Sequence, residues 1–226
     1  VTEEKIVKEE LIDTLTSFSS RGPRSFDAKI KPEIVAPGQQ IVSAAIGSGH
    51  QGRKSNGTSM SAPHMAGAMA LMRQAFPDLL PAELKSIVMN TAKPIKDTKG
   101  IIYPVSQQGA GRVQLEKAIK SKIVITPAAI SLGETQVSKT KVIRRKLKIK
   151  NITRKKINLT INHDSKDNLL ITVKNQVTLL PNEVKQIDLV FKLLNSNIEN
   201  VTEVDGRIYI KEEEKTIAQI PFLAVV

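Results

Sequence analysis

Hydrophobic and polar residues alternate through much of the second half of the chain. Ile157, Leu159 and Ile161 are separated by polar residues, which is the period of a strand with one buried face. The same alternation recurs in two further sets: Leu169, Ile171 and Val173, and Ile187, Leu189 and Phe191. Several such segments with polar turns between them predict an all-β antiparallel sandwich over residues 122–226.

The first half shows a different pattern, with one long segment of helical character. Residues 59–76 contain apolar side chains on almost every face of a helix. They are Met60, Met65, Ala66, Met69, Ala70, Met72, Ala75 and Phe76. A helix that is apolar nearly all round is normally buried, so the sequence predicts a buried helix here, ended by Pro77.

Shorter elements surround this helix. A second helix is predicted for residues 81–90, opened by Pro81, and a third for residues 113–120. Residues 31–38 look like a short buried strand, residues 41–46 are a second apolar run, and residues 47–57 read as a Gly/Ser-rich loop. These elements set residues 1–121 apart from the sandwich. We place the boundary with the sandwich at residues 122–126.

Length and composition set limits on the class of protein. The 226 residues are enough for two modest domains, and 40% hydrophobic with 25% charged residues is ordinary for a folded protein. No apolar run approaches the roughly 18 residues of a membrane span, so none is expected. The absence of Cys excludes disulfides, thiolate metal sites and a cysteine nucleophile. A chain that starts at Val1 rather than Met suggests a piece of something longer.

The formal net charge is +12, from 34 basic and 22 acidic residues. A dense basic stretch covers residues 139–156 and contains no aromatic residue. Because sites for single-stranded nucleic acid combine positive charge with stacking rings, we predict no nucleic-acid partner. A solvated strand-and-turn face is the favoured interpretation, with a surface polyanion or an acidic substrate as the alternative.

Residues 56–67 are the segment that suggests chemistry. A Gly-containing loop delivers Ser59 to the first turn of a helix, where free N–H groups and the helix dipole create a positive potential. A hydroxyl there can attack a carbonyl while its own N–H holds the oxyanion. Gly57 leaves room for a substrate backbone, and Pro63 breaks the usual rule for a helix interior. On spacing alone, an N-capping Ser or Thr on a structural helix remains the other interpretation.

This segment resembles the nucleophile signature of the subtilase family of serine proteases. It reads Gly57-Thr58-Ser59-Met60-Ser61-Ala62-Pro63-His64-Met65-Ala66-Gly67, close to the family's G-T-S-M-[AS]-[AS]-P-H-V-A-G. Three further segments are similar to family elements and occur in the expected order. They are Phe18-Ser19-Ser20-Arg21-Gly22-Pro23, the residues 31–38, and Gly109-Ala110-Gly111-Arg112-Val113, and together the resemblance covers about residues 15–121.

The resemblance implies a serine endopeptidase that acts on polypeptides through an acyl-enzyme on Ser59. Asn56, Gly57, Thr58 and Met60 would then line the substrate approach, and the Met60 thioether could be oxidised beside the reacting centre. Phe18 would lie near the leaving-group side. For Met60 and Phe18, plain core packing is the alternative. The resemblance also implies secretion or attachment to the cell envelope. For the fold, it implies that residues 1–121 are the C-terminal part of an α/β, subtilisin-like three-layer domain and that residues 122–226 are fibronectin-III-like.

A serine nucleophile needs a histidine base and an acid that orients it. The family order Asp, His, Ser would place both before Ser59. His64 lies roughly 140° around the helix from Ser59 and matches a structural histidine of the signature. His50 sits in a loop and His163 in the sandwich half. No Asp-[ST]-Gly or His-Gly-Thr-His element occurs, so the triad Asp and His are expected outside this chain. The sequence does not identify the Asn of the oxyanion hole.

The chain alone is therefore expected to be inactive. We expect it to be the C-terminal part of a catalytic domain, which would bind the missing N-terminal part of that domain and could self-associate without it. No metal site or cofactor is predicted here, with calcium left open for the full-length protein. A non-catalytic relative that serves as an adhesion or interaction module is the alternative function.

Overall fold

The computed structural model describes residues 9–134, 140–164, 167–194 and 202–226. Its helices are a 3₁₀ turn at Glu9–Leu11 followed by α1 (Thr58–Ala75), α2 (Pro81–Asn90), α3 (Val105–Gln108) and α4 (Leu115–Ile119). Its strands are β1 (Ile41–Ala44), β2 (Gly52–Ser55), β3 (Ile123–Thr126), β4 (Ile130–Glu134), β5 (Lys141–Asn151), β6 (Ile157–His163), β7 (Leu169–Val173), β8 (Gln176–Leu179), β9 (Val184–Leu193), β10 (Glu203–Glu212) and β11 (Lys215–Val225).

Strands β3 to β11 form the predicted β-sandwich. One sheet has the order β4-β11-β10-β6-β8 and the other β3-β5-β9-β7. The strand pairs are antiparallel except β11 with β4, which run parallel. The two inner faces share one hydrophobic core, in which the rings of Phe191 and Phe222 meet edge to face with centroids 5.5 Å apart.

The alternating pattern identified the buried faces of these strands. Ile157, Leu159 and Ile161 of β6 are buried, as are Ile187, Leu189 and Phe191 of β9. In β7 Leu169 is buried, whereas Ile171 and Val173 are half-buried because β7 is an edge strand of its sheet. The sandwich prediction is therefore confirmed.

The basic stretch forms most of strand β5. Ile143, Leu147 and Ile149 point into the core, and the charged side chains Arg144, Lys146 and Lys148 between them are exposed. Lys139 lies outside the described residues. The alternation of β5 places these charges on the outer face of the sheet, and whether that face binds an anion stays a prediction.

The first half departs from the sequence prediction in its strands. Residues 52–55, expected to be loop, form β2 and pair antiparallel with β1 in an exposed hairpin. The expected strand at residues 31–38 is reduced to one isolated bridge between Val35 and Arg112. Within the described part of residues 9–121 the hairpin is the only sheet, so the α/β layers remain a prediction.

The positions of the helices agree better with the sequence prediction than those of the strands in this half. Helix α2 has the predicted bounds, α1 begins one residue earlier than predicted, and α4 is shorter than predicted. Helix α3 was missed, because four residues bounded by Pro104 and Gly109 are too short to show a periodic pattern.

The prediction that α1 is a buried helix is wrong for this chain. Among its residues only Ala68 and Met72 are buried, while Leu71 remains 48% exposed. Met72 packs with Leu84, Ile87 and Val88, so one face of α1 is covered by the described residues and the others are not. An apolar sequence shows that a helix can be buried on every side, but not that the covering elements belong to the same segment.

The two halves of the chain share packed contacts. Val124 of β3 belongs to the same buried cluster as Leu84, Ile87 and Val88 of α2. The boundary is expected at residues 122–126, and residues 123–126 of this segment form a buried strand of the sandwich that packs against α2. The division at residue 121 stays a prediction.

Candidate functional site

Gly57 shapes the loop that precedes α1. Its φ of 147° lies in the region that favours glycine, and its N–H donates to the Gly38 carbonyl at 2.8 Å. The Gly57 carbonyl accepts from the N–H of Met60 at 3.0 Å, which tightens the start of the helix. The chain thereby turns sharply into α1 at Thr58.

Ser59 lies in the first turn of α1 and is exposed. Neither its hydroxyl nor its N–H makes a hydrogen bond within the part of the chain that the structure describes. The first turn contains no acidic residue, so the positive end of the helix dipole is not neutralised there. An exposed hydroxyl beside an unused N–H matches the arrangement that an acyl-transfer nucleophile requires.

The predicted substrate-lining residues surround Ser59 with different degrees of exposure. Thr58 and Asn56 are exposed, and Met60 is half-buried with its Sδ near Gly57. The Asn56 Oδ1 accepts a hydrogen bond from the Gln40 N–H at 2.5 Å, which fixes this amide against the neighbouring turn. Their role toward a substrate remains a prediction, as does that of Phe18, which is 44% exposed.

Two residues that sequence reasoning did not assign to the site, Ser61 and Gly38, hold the start of α1 against the segment 33–38. The Ser61 Oγ donates to the Ala36 carbonyl at 2.9 Å, joining α1 to the segment 33–38. A Cβ on Gly38 would lie 2.3 Å from that Oγ and 2.8 Å from the Gly57 carbonyl oxygen, so only glycine fits there. The Pro37-Gly38 turn and the second serine of the signature were the signals available in the sequence.

None of the described histidines hydrogen-bonds to Ser59. The Nδ1 of His64 lies 2.8 Å from the Met60 carbonyl of its own helix, and the His163 Nδ1 lies 3.0 Å from the Asp164 carbonyl in the sandwich. His50 is exposed in the turn between β1 and β2. No hydrogen bond joins Ser59 to a His, Asp or Glu among the described residues.

Pro63 lies inside α1 without interrupting it. Because proline has no N–H, the carbonyl of Ser59 loses its partner four residues ahead. The cost is tolerated at an exposed position, where water can take the place of the missing donor. The proline of the signature thus leaves the first turn of α1 with one main-chain hydrogen bond fewer to the next turn.

The described ranges contain no cluster of three or more His, Asp or Glu residues arranged to hold a metal ion. None of the described helices combines the length and the hydropathy needed to cross a bilayer.

Comparison with known proteins adds independent findings. Residues 8–114 match the sequence model described as the subtilase family. The minor extracellular protease Vpr of Bacillus subtilis is 30% identical over 97% of this chain, and the C5a peptidase of Streptococcus pyogenes is 38% identical over 50% of it. The chain corresponds to only 28% of the length of Vpr and 10% of the C5a peptidase.

Among solved structures, the N-terminal domain of PorA aligns with 46% of this chain and 96% of its own length, at 12% identity. Its TM-score is 0.35.

Proposed function

Since this chain belongs, through residues 8–114, to the subtilase family, we propose that it is the C-terminal part of a subtilisin-like serine endopeptidase with Ser59 as nucleophile. The observation that carries the proposal is the placement of Ser59. Its hydroxyl is exposed in the first turn of an 18-residue helix, after a glycine with φ of 147°, beside an N–H without a partner in the described chain.

The chemistry follows from this placement. The Ser59 oxygen would attack the carbonyl carbon of a peptide bond while a base removes its proton, and the N–H of Ser59 would donate to the oxyanion that forms. The leaving amine would depart with a proton returned by the base. Water would then hydrolyse the acyl-enzyme by the same steps and regenerate the hydroxyl.

We place the base and its orienting acid outside residues 1–226. His64 and His163 hydrogen-bond to main-chain carbonyls of their own segments, which supports this assignment. The isolated chain would then lack hydrolytic activity, because removing the base of such a triad costs on the order of a million-fold in rate. The similarity to Vpr, a minor extracellular protease, supports secretion of the full-length protein.

The proposal is tested by substitutions in the full-length protein. We expect Ser59→Ala to lower kcat for hydrolysis of an unfolded polypeptide by on the order of a million-fold, with an unchanged melting temperature. Ser43→Ala is the matched control, because Ser43 is an exposed serine on the neighbouring strand β1. Normal turnover by a folded Ser59→Ala protein would overturn the proposal.

A further inference from the structure

A buried amide of the sandwich is bonded directly to the first half of the chain. Gln219 of β11 is 5% exposed, and its Nε2 donates to the Ala92 carbonyl at 2.7 Å and to the Ala110 carbonyl at 2.9 Å. Asn90, at the end of α2, donates in turn to the main-chain carbonyl of Gln219 at 2.9 Å. Both hydrogens of the Gln219 amide are therefore used to hold two loops of the other half.

The turn at Ala110, which Gln219 holds, is itself hydrogen-bonded to the segment 33–38. The Ala110 N–H donates to the Glu33 carbonyl at 3.0 Å, and the Val35 N–H donates to the Gly111 carbonyl at 2.9 Å. The Val113 N–H completes the pairing by donating to the Val35 carbonyl at 3.0 Å. Segment 33–38 is thus fixed along one side by residues 110–113.

The same segment is hydrogen-bonded to the residues on both sides of Ser59. The carbonyl of Ala36 accepts from the Ser61 Oγ at 2.9 Å, and the carbonyl of Gly38 accepts from the Gly57 N–H at 2.8 Å. These two contacts flank Ser59 on either side in sequence. A displacement of segment 33–38 would move both of them together.

We propose that Gln219 is a positioning residue for Ser59, acting through Ala110, the segment 33–38 and the contacts at Gly57 and Ser61. The proposal rests on the proposed function, in which Ser59 is the nucleophile. The sandwich then supports the site, since a buried amide on the face of β11 that packs against the first half fixes the geometry of the loop that presents Ser59.

The physical reason lies in the burial of the two carbonyls. An apolar residue in place of Gln219 would leave the oxygens of Ala92 and Ala110 without a donor in an interior that excludes water. The turn at residues 109–111 would then shift to find new partners. A displacement of about 1 Å at a nucleophile is enough to cost on the order of a hundredfold in rate.

The test compares Gln219→Met with two control variants in the full-length protein. Gln219→Met keeps the length of the side chain and removes both donors. Gln186→Met makes the same change at an exposed site on β9, and Ile187→Ala opens a cavity in the sandwich core without touching the Gln219 contacts. Ile187→Ala therefore reports what a loss of stability alone does.

Two readouts separate positioning from stability. Amide exchange measured on the peptide covering residues 53–61 should become about tenfold faster at Gly57 in Gln219→Met, and stay as in the natural protein in Gln186→Met and Ile187→Ala. For peptide hydrolysis, kcat should fall on the order of ten- to a hundredfold in Gln219→Met while KM changes less than about twofold.

Unchanged exchange at Gly57 in a folded Gln219→Met protein would overturn the proposal, and so would an equal effect of Ile187→Ala. If Gln219→Met does not fold, Asn90→Ser is measured instead, because it loosens the strand that carries Gln219 and must then speed exchange at Gly57. The exchange readout does not depend on activity. If the unsubstituted full-length protein has no peptidase activity, but Gln219→Met still speeds exchange at Gly57, the proposed function is overturned. The positioning link between Gln219 and the Gly57 loop then still stands.

Discussion

At the scale of single residues, the glycines beside Ser59 matter as much as the serine. Gly57 adopts a φ of 147°, and Gly38 lies so close to Ser61 and Gly57 that a methyl group has no room. Both keep the loop in contact with segment 33–38. The site therefore depends on two positions where a side chain would displace the main chain.

A pair of glycine substitutions tests this. Gly38→Ala should lower the free energy of unfolding by about 1–3 kcal/mol, because its Cβ would overlap the Gly57 carbonyl. Gly67→Ala, in the middle of α1 with no atom near its Cβ position, should raise it by about 0.5–1 kcal/mol. Urea denaturation of the two variants measures both values. Equal effects in the same direction would contradict the structure.

The sequence alone predicts Ser59 and its neighbours as the site, because the signature at residues 57–67 combines a rare set of residues in a fixed order. It offered only the Pro37-Gly38 turn and the second serine of the signature as hints of the supporting contacts of Gly38 and Ser61, and no signal for Gln219, because these contacts are made across long separations in sequence. The Gln219 side chain, for example, reaches a carbonyl 109 residues away. Such contacts depend on tertiary packing, which no local pattern encodes.

At the scale of elements, α2 joins the two halves of the chain. Glu83 in its first turn accepts a hydrogen bond from the Leu80 N–H at 2.9 Å and pairs with Lys150 of β5 at 2.9 Å. Burial alone would raise the pKa of Glu83, but these two partners hold it below its ordinary value of 4.5. The ionised carboxylate therefore stabilises the fold.

This pKa shift predicts a dependence on pH. A lowered pKa in the folded state gives stability that is complete above the unfolded value and is lost as the pH falls through the folded value. Glu83→Gln should therefore lower stability by about 0.5–1 kcal/mol at pH 7, with a smaller difference near pH 3. Thermal unfolding at both pH values measures this. Glu116→Gln, which removes an exposed pair with Lys120, is the control and should change nothing measurable.

The sequence predicted the elements that bury one face against the core of the same chain. It failed for elements whose burial or pairing depends on another segment. The strands of the sandwich bury one face each, so a period of two was enough to find them. Helix α1 is apolar on almost every side, yet the described residues bury only the face of Ala68 and Met72. Strand β2, with the sequence Gly-Arg-Lys-Ser, is recognisable only through its pairing with β1.

At the scale of the whole molecule, the uncovered part of α1 has a consequence for the isolated chain. Ala62, Ala66 and Ala70 lie on successive turns of the helix and are exposed, next to the half-exposed Leu71. We expect the 226-residue chain to associate with itself through this face. Sedimentation velocity over a range of concentrations should show the larger species.

A substitution on that face supplies the control. Leu71→Lys should shift the isolated chain toward the monomer, because a charge would have to be buried in the contact. Leu170→Lys, at an equally exposed leucine of the sandwich, should leave the association unchanged. A monomer at all concentrations in the unsubstituted chain would exclude this expectation.

The account depends on one claim, that the hydroxyl of Ser59 performs acyl transfer when the rest of the catalytic domain is present. Labelling with a fluorophosphonate, followed by peptide mapping, measures this directly. The account predicts one adduct in the full-length protein, on Ser59, and none on the isolated residues 1–226. A folded, full-length protein that takes up no label, or takes it up at another serine, would contradict it.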